Sequence, residues 1–586
     1  MDALRSRISH LTGQNLILIV LVMLSALVAR LIYIYAHHGP RLLARAQRQH
    51  RSDIPIIARR GLIVDSQGRI ISGTTLRKSV FADPKVLPDK NGAARVVGNI
   101  LGIDPAELAP GLLAAGDRRF FVIRRGVSEQ EARQIRDAGI YGLGIFTEPY
   151  RTYPMSSLAA EVIGFVSPDG AGVSGLEHQC EAWLSGENGV KTIVRDARRK
   201  AFWLADGGYR PARDGFHVIL TIDAEIQAEV ERDLAAGVQR YEAESGVAVV
   251  MEPTTGAILA MANYPGFDPN QYGDYGAARY RNRAITDPYE PGSTFKPFIA
   301  AAALQSGVVR YGEIFDCEMG EWHEGRRTVH DHKQFGFLTF EEVLIKSSNI
   351  GMGKIGKRLG NDRIYECVKA FGFGEKTGID LEGEDGGIVR PFKRWNEFST
   401  ISLPFGHEIA VTPLQLVRAF CVFANEGKLV RPYIIRAVMD VEGRVVSDFT
   451  PPPSETRILP AELVATMRNR ILCEVVNQSP PGRAQLKNYQ VFGKTGTAQI
   501  ARKGGGGFEK NAYVSSFVGG APARDPRMVV LVAIRRPNKA IGYYGGQVAA
   551  PVAREILGHG LAYLQVPSDP PIPVEMTALQ TESLED

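Results

Sequence analysis

The stretch Tyr289-Glu290-Pro291-Gly292-Ser293-Thr294-Phe295-Lys296-Pro297 sets a serine and a lysine three residues apart, just before the apolar run Phe298 to Leu304. On a helix, that spacing puts both side chains on one face. A serine hydroxyl is a weak nucleophile until a neighbouring base takes its proton, and a lysine can be that base only as a neutral amine. Burial among donors and other cations lowers a lysine's pKa far enough for this. The spacing predicts a helix over Ser293 to Ser306, its apolar residues buried and Gly307 placed to end it. Pro297 falls in the first turn, where its missing N–H costs little. Gly292 leaves room for backbone and substrate to approach the serine.

Two further motifs follow. Thr339 with Glu342 forms a capping box, and Phe340, Val343 and Leu344 continue at helical spacing, so Ser347-Ser348-Asn349 lies at or just past a helix end. Ser347 and Asn349 can there hold Lys296 and relay a proton to a leaving amine. Tyr489 to Ile500 alternates as a strand and carries Lys494-Thr495-Gly496-Thr497. Lys494 supplies positive charge, Thr495 and Thr497 supply hydroxyl donors for a substrate carboxylate, and Gly496 leaves space for a substrate backbone along the strand edge. The backbone amides of Ser293 and Thr497 are the natural oxyanion hole.

Order and spacing of the three motifs specify a penicillin-binding serine acyltransferase site. The chain resembles the class B penicillin-binding proteins, monofunctional D,D-transpeptidases that cross-link peptidoglycan. Besides the motifs, Val411-Thr412-Pro413-Leu414-Gln415, Arg60-Gly61-Leu62-Ile63-Val64-Asp65, Phe81-Ala82-Asp83-Pro84-Lys85 and Gly175-Leu176-Glu177 carry the likeness, which spans nearly the whole chain. The aspartate-proline-lysine run and Tyr289-Glu290-Pro291 look like the cell-division branch rather than the elongation branch. The resemblance implies a serine acyl-enzyme made from D-Ala-D-Ala stem peptides, covalent inhibition by β-lactams, no metal or organic cofactor, and a membrane glycosyltransferase partner of the SEDS type. A β-lactam-hydrolysing or sensing protein, a D,D-carboxypeptidase and a catalytically idle wall-synthesis scaffold share some or all of these motifs.

Other chemistries fit less well. Gly493-Lys494-Thr495 imitates the end of a phosphate-binding loop, but that loop needs a glycine where Asn488 stands. Cys317, His323, His330 and His332 match no standard zinc spacing, and Asp331 and Arg326 suggest a solvated loop. Gly504 to Gly507 reads as a flexible loop beside the Lys494 strand, with a lid over the cleft as the functional alternative. The net charge of +5 over 586 residues gives no case for nucleic-acid binding. Cys180, Cys317, Cys367, Cys421 and Cys473 are scattered and odd in number, so no disulfide framework is implied.

The remaining chain divides by composition. Residues 1–14 read as a cytoplasmic tail and 15–36 as an uncleaved transmembrane signal anchor, with Arg30 snorkelling and Tyr33 and Tyr35 at the interface. Arg41, Arg45, Arg48 and Arg51 outnumber Arg5 and Arg7, so charge alone opposes an outward catalytic domain; the resemblance implies that orientation, on the periplasmic side of the inner membrane. Residues 37–60 form a basic connector, 61–225 a non-catalytic mixed α/β pedestal, and 226–566 an α+β catalytic domain. In that domain the hairpins Val247–Met251/Ala257–Ala262 and Val514–Gly519/Met528–Arg535 join the Lys494 strand in one antiparallel sheet, covered by the helices after Ser293, Thr339 and Pro460. Residues 567–586, rich in proline and acid, read as a disordered tail.

Overall fold

The strand Ser245–Met251 is buried at every residue, with no polar alternation, because helices cover both faces of the sheet it belongs to. The computed structural model describes residues 2–116, 118, 120–195, 201–325, 327–502 and 507–569, so most of the expected tail lies outside the described residues. The sheet is five-stranded and antiparallel throughout, in the order Ile258–Tyr264, Ser245–Met251, Met528–Arg535, Phe508–Ala521, Phe492–Ala501. Both expected hairpins and the Lys494 strand are in it, the last at an edge. Period-two alternation then splits the side chains between two cores. Val247, Val249, Val529 and Leu531 join Phe298 and Phe420 on one side, while Ala248, Val250, Val530 and Val532 face Leu234, Val548 and Ile556 on the other.

The first side carries the nucleophile helix Lys296–Gln305 and the helices Phe340–Ile345 and Ala461–Thr466, as the sequence reading expects. The second side is covered by Ala224–Arg240 and by Gly545–Tyr563, a helix the sequence reading does not anticipate. Its Gly-Gly start, Pro551 and later glycines all argue against a helix locally, and burial of Val548, Ala549, Val552 and Ile556 overrides them.

A second sheet lies in the region read as the pedestal. Its order is Val445–Asp448, Ile435–Met439, His217–Leu220, Ile63–Val64, Ile70–Ala82, Phe121–Val127, with Leu143–Thr152 also paired to Ile70–Ala82. Two of its strands come from residues 435–448, so this sheet draws on chain well beyond residue 225. Under it lies a compensated charge cluster. Glu177, fully buried, accepts from Arg60 Nε, Arg151 Nε and Ser72 Oγ, each at 2.7 Å. Burial pushes the Glu177 carboxyl up, but Arg151, Arg60 and Ser72 outweigh it and hold the pKa below the usual range.

Residues 1–59 and 186–214 form a separate compact unit. It holds a continuous helix, Asp2–His50, and a three-stranded antiparallel sheet of Arg51–Ile56, Gly189–Arg195 and Ala201–Arg210. Within the helix, Asn15–Leu42 is long and apolar enough to cross a membrane. The basic stretch read as a connector is helix as far as His50 and strand over Arg51–Ile56. At the other end of the chain, Asp569 pairs with Tyr489, and its N–H donates to the Asn488 carbonyl at 2.8 Å.

Candidate active site

Ser293 sits half-buried in a single 3-10 turn, Gly292–Phe295, that runs straight into Lys296–Gln305. The turn starts at Gly292 with φ +55°, and Gly292 N–H donates to the Gly406 carbonyl at 3.2 Å. Gly406, itself at φ +83°, lies so close that a Cβ there would meet the Gly292 carbonyl oxygen at 2.1 Å. Two glycines thus press the segment carrying the serine against its neighbour.

Lys296 is fully buried. Its Nζ donates to Asn349 Oδ1 at 2.8 Å, to the Ser347 carbonyl at 2.6 Å and to Ser347 Oγ at 3.2 Å. Ser347 links the helices Phe340–Ile345 and Asn349–Ala370 in one tight step, which forces it to φ +59° and aims both its oxygens at the lysine. The capping box predicted at Thr339 and Glu342 is present and starts the first of these helices.

Lys494 projects from the edge strand Phe492–Ala501, 1% exposed, and donates to the same Ser347 Oγ at 3.0 Å. One hydroxyl therefore joins two buried amines. Burial alone pushes Lys494 down to about 8. Burial first, then the charge of Lys494, takes Lys296 well below the usual lysine range, with Asp331 and Cys317 pulling it back up. That is the condition under which an amine accepts a proton at neutral pH.

Thr495 and Thr497 are half-buried and share one face of the strand. Thr497 Oγ1 accepts the Gly545 N–H at 2.9 Å, which leaves its own hydrogen free to donate. Gly496 differs from the expectation. A Cβ there would meet Ser516 Oγ at 2.6 Å, the Pro291 carbonyl at 2.8 Å and Thr294 at 2.9 Å. The glycine is needed for the nucleophile turn to pack on the strand; the space it leaves belongs to the protein itself.

The structure thus brings Ser293, Lys296, Ser347, Asn349, Lys494, Thr495 and Thr497 together where the nucleophile turn meets the edge strand, with Gly496 packed under that turn. It also adds Asp331, which the sequence reading leaves in a solvated loop. This carboxylate accepts Ser348 Oγ at 2.6 Å and the backbone N–H groups of Asn349 and Ile350. The signal was a lone acid 17 residues before its partner, which no local pattern marks. Among the described residues, Cys317, His323, His330 and His332 do not gather three donor atoms; Cys317 is instead buried against Ser348 Oγ at 3.3 Å. The glycine loop read as a possible lid falls largely on residues 503–506, outside the described residues.

A serine at a helix start, a buried lysine one turn away, a second buried lysine on an edge strand and a hydroxyl shared between the two amines define a serine acyl-transferring enzyme with its base built in. The comparisons with known proteins agree. Residues 246–558 match the penicillin binding protein transpeptidase domain, and residues 55–220 match the penicillin-binding protein dimerisation domain. Probable peptidoglycan D,D-transpeptidase PbpC of Pseudomonas aeruginosa is 34% identical over 546 residues, covering 93% of this chain and 94% of that protein. Peptidoglycan D,D-transpeptidase FtsI of Escherichia coli K12 is 32% identical over 515 residues, covering 87% and 84%. Penicillin binding protein 3 of Mycobacterium tuberculosis, solved in complex with aztreonam, superposes with a TM-score of 0.68 at 28% identity, covering 88% of this chain and 99% of that one. The chain belongs to the penicillin-binding protein transpeptidase family.

Proposed function

We propose that this chain is a peptidoglycan D,D-transpeptidase, and the observation that carries the reading is the buried Lys296 amine held by Ser347 and Asn349 one helical turn from Ser293. Ser293 Oγ attacks the penultimate D-Ala carbonyl, and its proton passes to Lys296. The tetrahedral oxyanion is held by the backbone amides of Ser293 and Thr497. Ser347, lying between the amines of Lys296 and Lys494, relays the proton to the departing D-Ala nitrogen, with Asn349 orienting Lys296. Lys494, Thr495 and Thr497 receive the terminal carboxylate along the strand edge, and an amine of a neighbouring strand then takes the acyl group. β-Lactams enter by the same acylation and stay as esters.

The likeness to FtsI supports a septal role, the apolar helix supports a single-pass anchor in the inner membrane, and the outward placement of the cleft rests on the family resemblance. Residues 61–225 then serve as the pedestal and 226–566 as the transpeptidase domain, in line with the two family matches. A SEDS-type glycosyltransferase supplies the glycan strand, since the chain's two matched domains include no glycan-polymerising one.

The test is labelled penicillin followed by mass mapping: the ester is expected on the peptide carrying Ser293, and Ser293→Ala is expected to fold and take no label. Label retained by that variant removes Ser293 from the mechanism. With the glycosyltransferase partner and lipid-linked precursor, wild type is expected to form penicillin-sensitive cross-linked dimers, and Ser293→Ala to leave the glycan uncross-linked. Release of free D-Ala alone, or rapid penicillin hydrolysis, would instead identify a carboxypeptidase or a β-lactamase.

A further inference from the structure

Asp331 stands one residue past the short antiparallel pair Glu321–Glu324 and Arg327–His330. Its Oδ1 accepts the backbone N–H groups of Asn349 and Ile350, the latter at 3.2 Å, and its Oδ2 accepts Ser348 Oγ at 2.6 Å. Carboxylates are favoured at helix N-termini, where free N–H groups and the helix dipole meet them, and Asp331 reaches the start of Asn349–Ala370 from a distant strand. Asp331 thus holds the Asn349 backbone, and the residue before it holds the side chain: the His330 carbonyl accepts Asn349 Nδ2 at 3.0 Å.

This fixes which way the amide points. An amide nitrogen only donates and its oxygen only accepts, so once Nδ2 is committed to the His330 carbonyl, Oδ1 must face the other side. There it meets Lys296 Nζ at 2.8 Å. A flipped amide would set donor against donor at the lysine and oxygen against oxygen at His330. We propose, resting on the acyl-transfer reading above, that Asp331 is a positioning residue for acylation: it holds the Asn349 backbone in the place where the His330 carbonyl turns the amide oxygen toward Lys296, and it sets a negative charge behind the Ser347–Asn349 turn. Neither function requires Asp331 to touch substrate.

The charge has its own readout. The ionisable groups acting on Lys296 are Lys494 on the edge strand, Asp331 and His332 after the strand Arg327–His330, and Cys317 before the strand Glu321–Glu324. Among these, Asp331 raises the lysine's pKa, opposing burial and Lys494. Acylation needs the neutral amine, so it rises with pH through the Lys296 pKa. Removing the negative charge must therefore move that rising limb to lower pH.

The experiment measures the second-order constant for acylation of the full-length, detergent-solubilised protein by fluorescent penicillin, across pH, for wild type, Asp331→Asn and Ser348→Ala. Asp331→Asn keeps the shape, loses the charge, and replaces the carboxylate oxygen that accepts the Ser348 hydroxyl by an amide nitrogen that can only donate to it. Its constant is expected to fall at least about tenfold at pH 7, with the rising limb displaced to lower pH. Ser348→Ala removes the hydroxyl's bond to Asp331 and its cap on the Gly351 N–H but keeps the charge, so a smaller fall with an unmoved limb is expected. A folded Asp331→Asn that acylates within about twofold of wild type overturns the assignment. So does a fall with an unmoved limb, since a mere helix cap predicts that result. Should Asp331→Asn fail to fold, Ser348→Ala decides: a severalfold loss with an unchanged unfolding midpoint supports the assignment, and an unchanged constant, or a loss that comes with a lowered midpoint as loss of the cap predicts, overturns it. A wild type that takes no label overturns the acyl-transfer reading, and the assignment with it.

Discussion

The cluster under the pedestal sheet and the cluster in the cleft are both made of buried charges, and they are built in opposite ways. In the first, Arg60, Arg151 and Ser72 all converge on Glu177, so a fully buried carboxylate is met by two guanidiniums and a hydroxyl. In the second, Lys296 and Lys494 are as deeply buried but share only a hydroxyl, Ser347 Oγ, and among the described residues no carboxylate forms a direct ion pair with either. Compensation keeps the first cluster charged and makes it structural. Lack of compensation in the second depresses both amines and makes them reactive. The same desolvation that one region cancels, the other puts to chemical use.

The largest way to break this comparison is to remove the hub of the compensated cluster. Glu177→Ala leaves the buried Arg151 guanidinium with no carboxylate partner and Arg60 with Glu181 alone, and deleting one partner of a buried ion pair costs about 3–5 kcal/mol. Chemical unfolding is expected to show that loss. Whatever fraction stays folded is expected to acylate with penicillin at close to the wild-type rate. A loss under about 1 kcal/mol would mean that the cluster is not the structural anchor described.

The next effect falls on the uncompensated side. Lys296→Arg keeps a positive charge but cannot supply a neutral amine, because a guanidinium does not deprotonate in proteins. Acylation by labelled penicillin is expected to drop by at least roughly 100-fold, the scale of a lost general base. Near-normal labelling would assign the base elsewhere.

These residues were legible from sequence for a physical reason. Ser293 and Lys296 are one helical turn apart, Thr339 and Glu342 form a local cap, and Lys494 to Thr497 lie within one strand, so each motif declares itself through contacts a few residues long. What escaped reading depends on distant chain. Asp331 acts on residues 17 to 19 further on, the strand Ile435–Met439 completes a sheet begun at residue 63, and Gly545–Tyr563 is helical because two neighbours bury it. Gly496 was found but misread, since what fills the space beside it is the nucleophile turn, and only the folded chain puts the two together.

The smallest effect sharpens the comparison by neutralising an uncompensated charge. Lys494→Met replaces a buried ammonium by an unbranched apolar chain of similar length. The fall in its pKa from 10.5 to about 8 is caused by burial and corresponds to roughly 3 kcal/mol of penalty on the charged form. Losing the hydrogen bond to Ser347 Oγ returns about 1 kcal/mol of that, so a net stabilisation of about 1–2 kcal/mol is expected at pH 7, alongside impaired acylation. The sign with pH follows from linkage. Below pH 8 the lysine is protonated in both folded and unfolded chains, so the penalty is fully present. Between 8 and 10.5 the folded protein releases the proton while the unfolded chain keeps it, so wild type gains stability as pH rises. The advantage of methionine should therefore be full at pH 7 and largely gone near pH 10, as unfolding midpoints of the two proteins at both pH values will report. A methionine variant less stable than wild type at pH 7, or equally favoured at both pH values, would mean that the Lys494 charge is compensated after all and that the two clusters differ less than their contacts suggest.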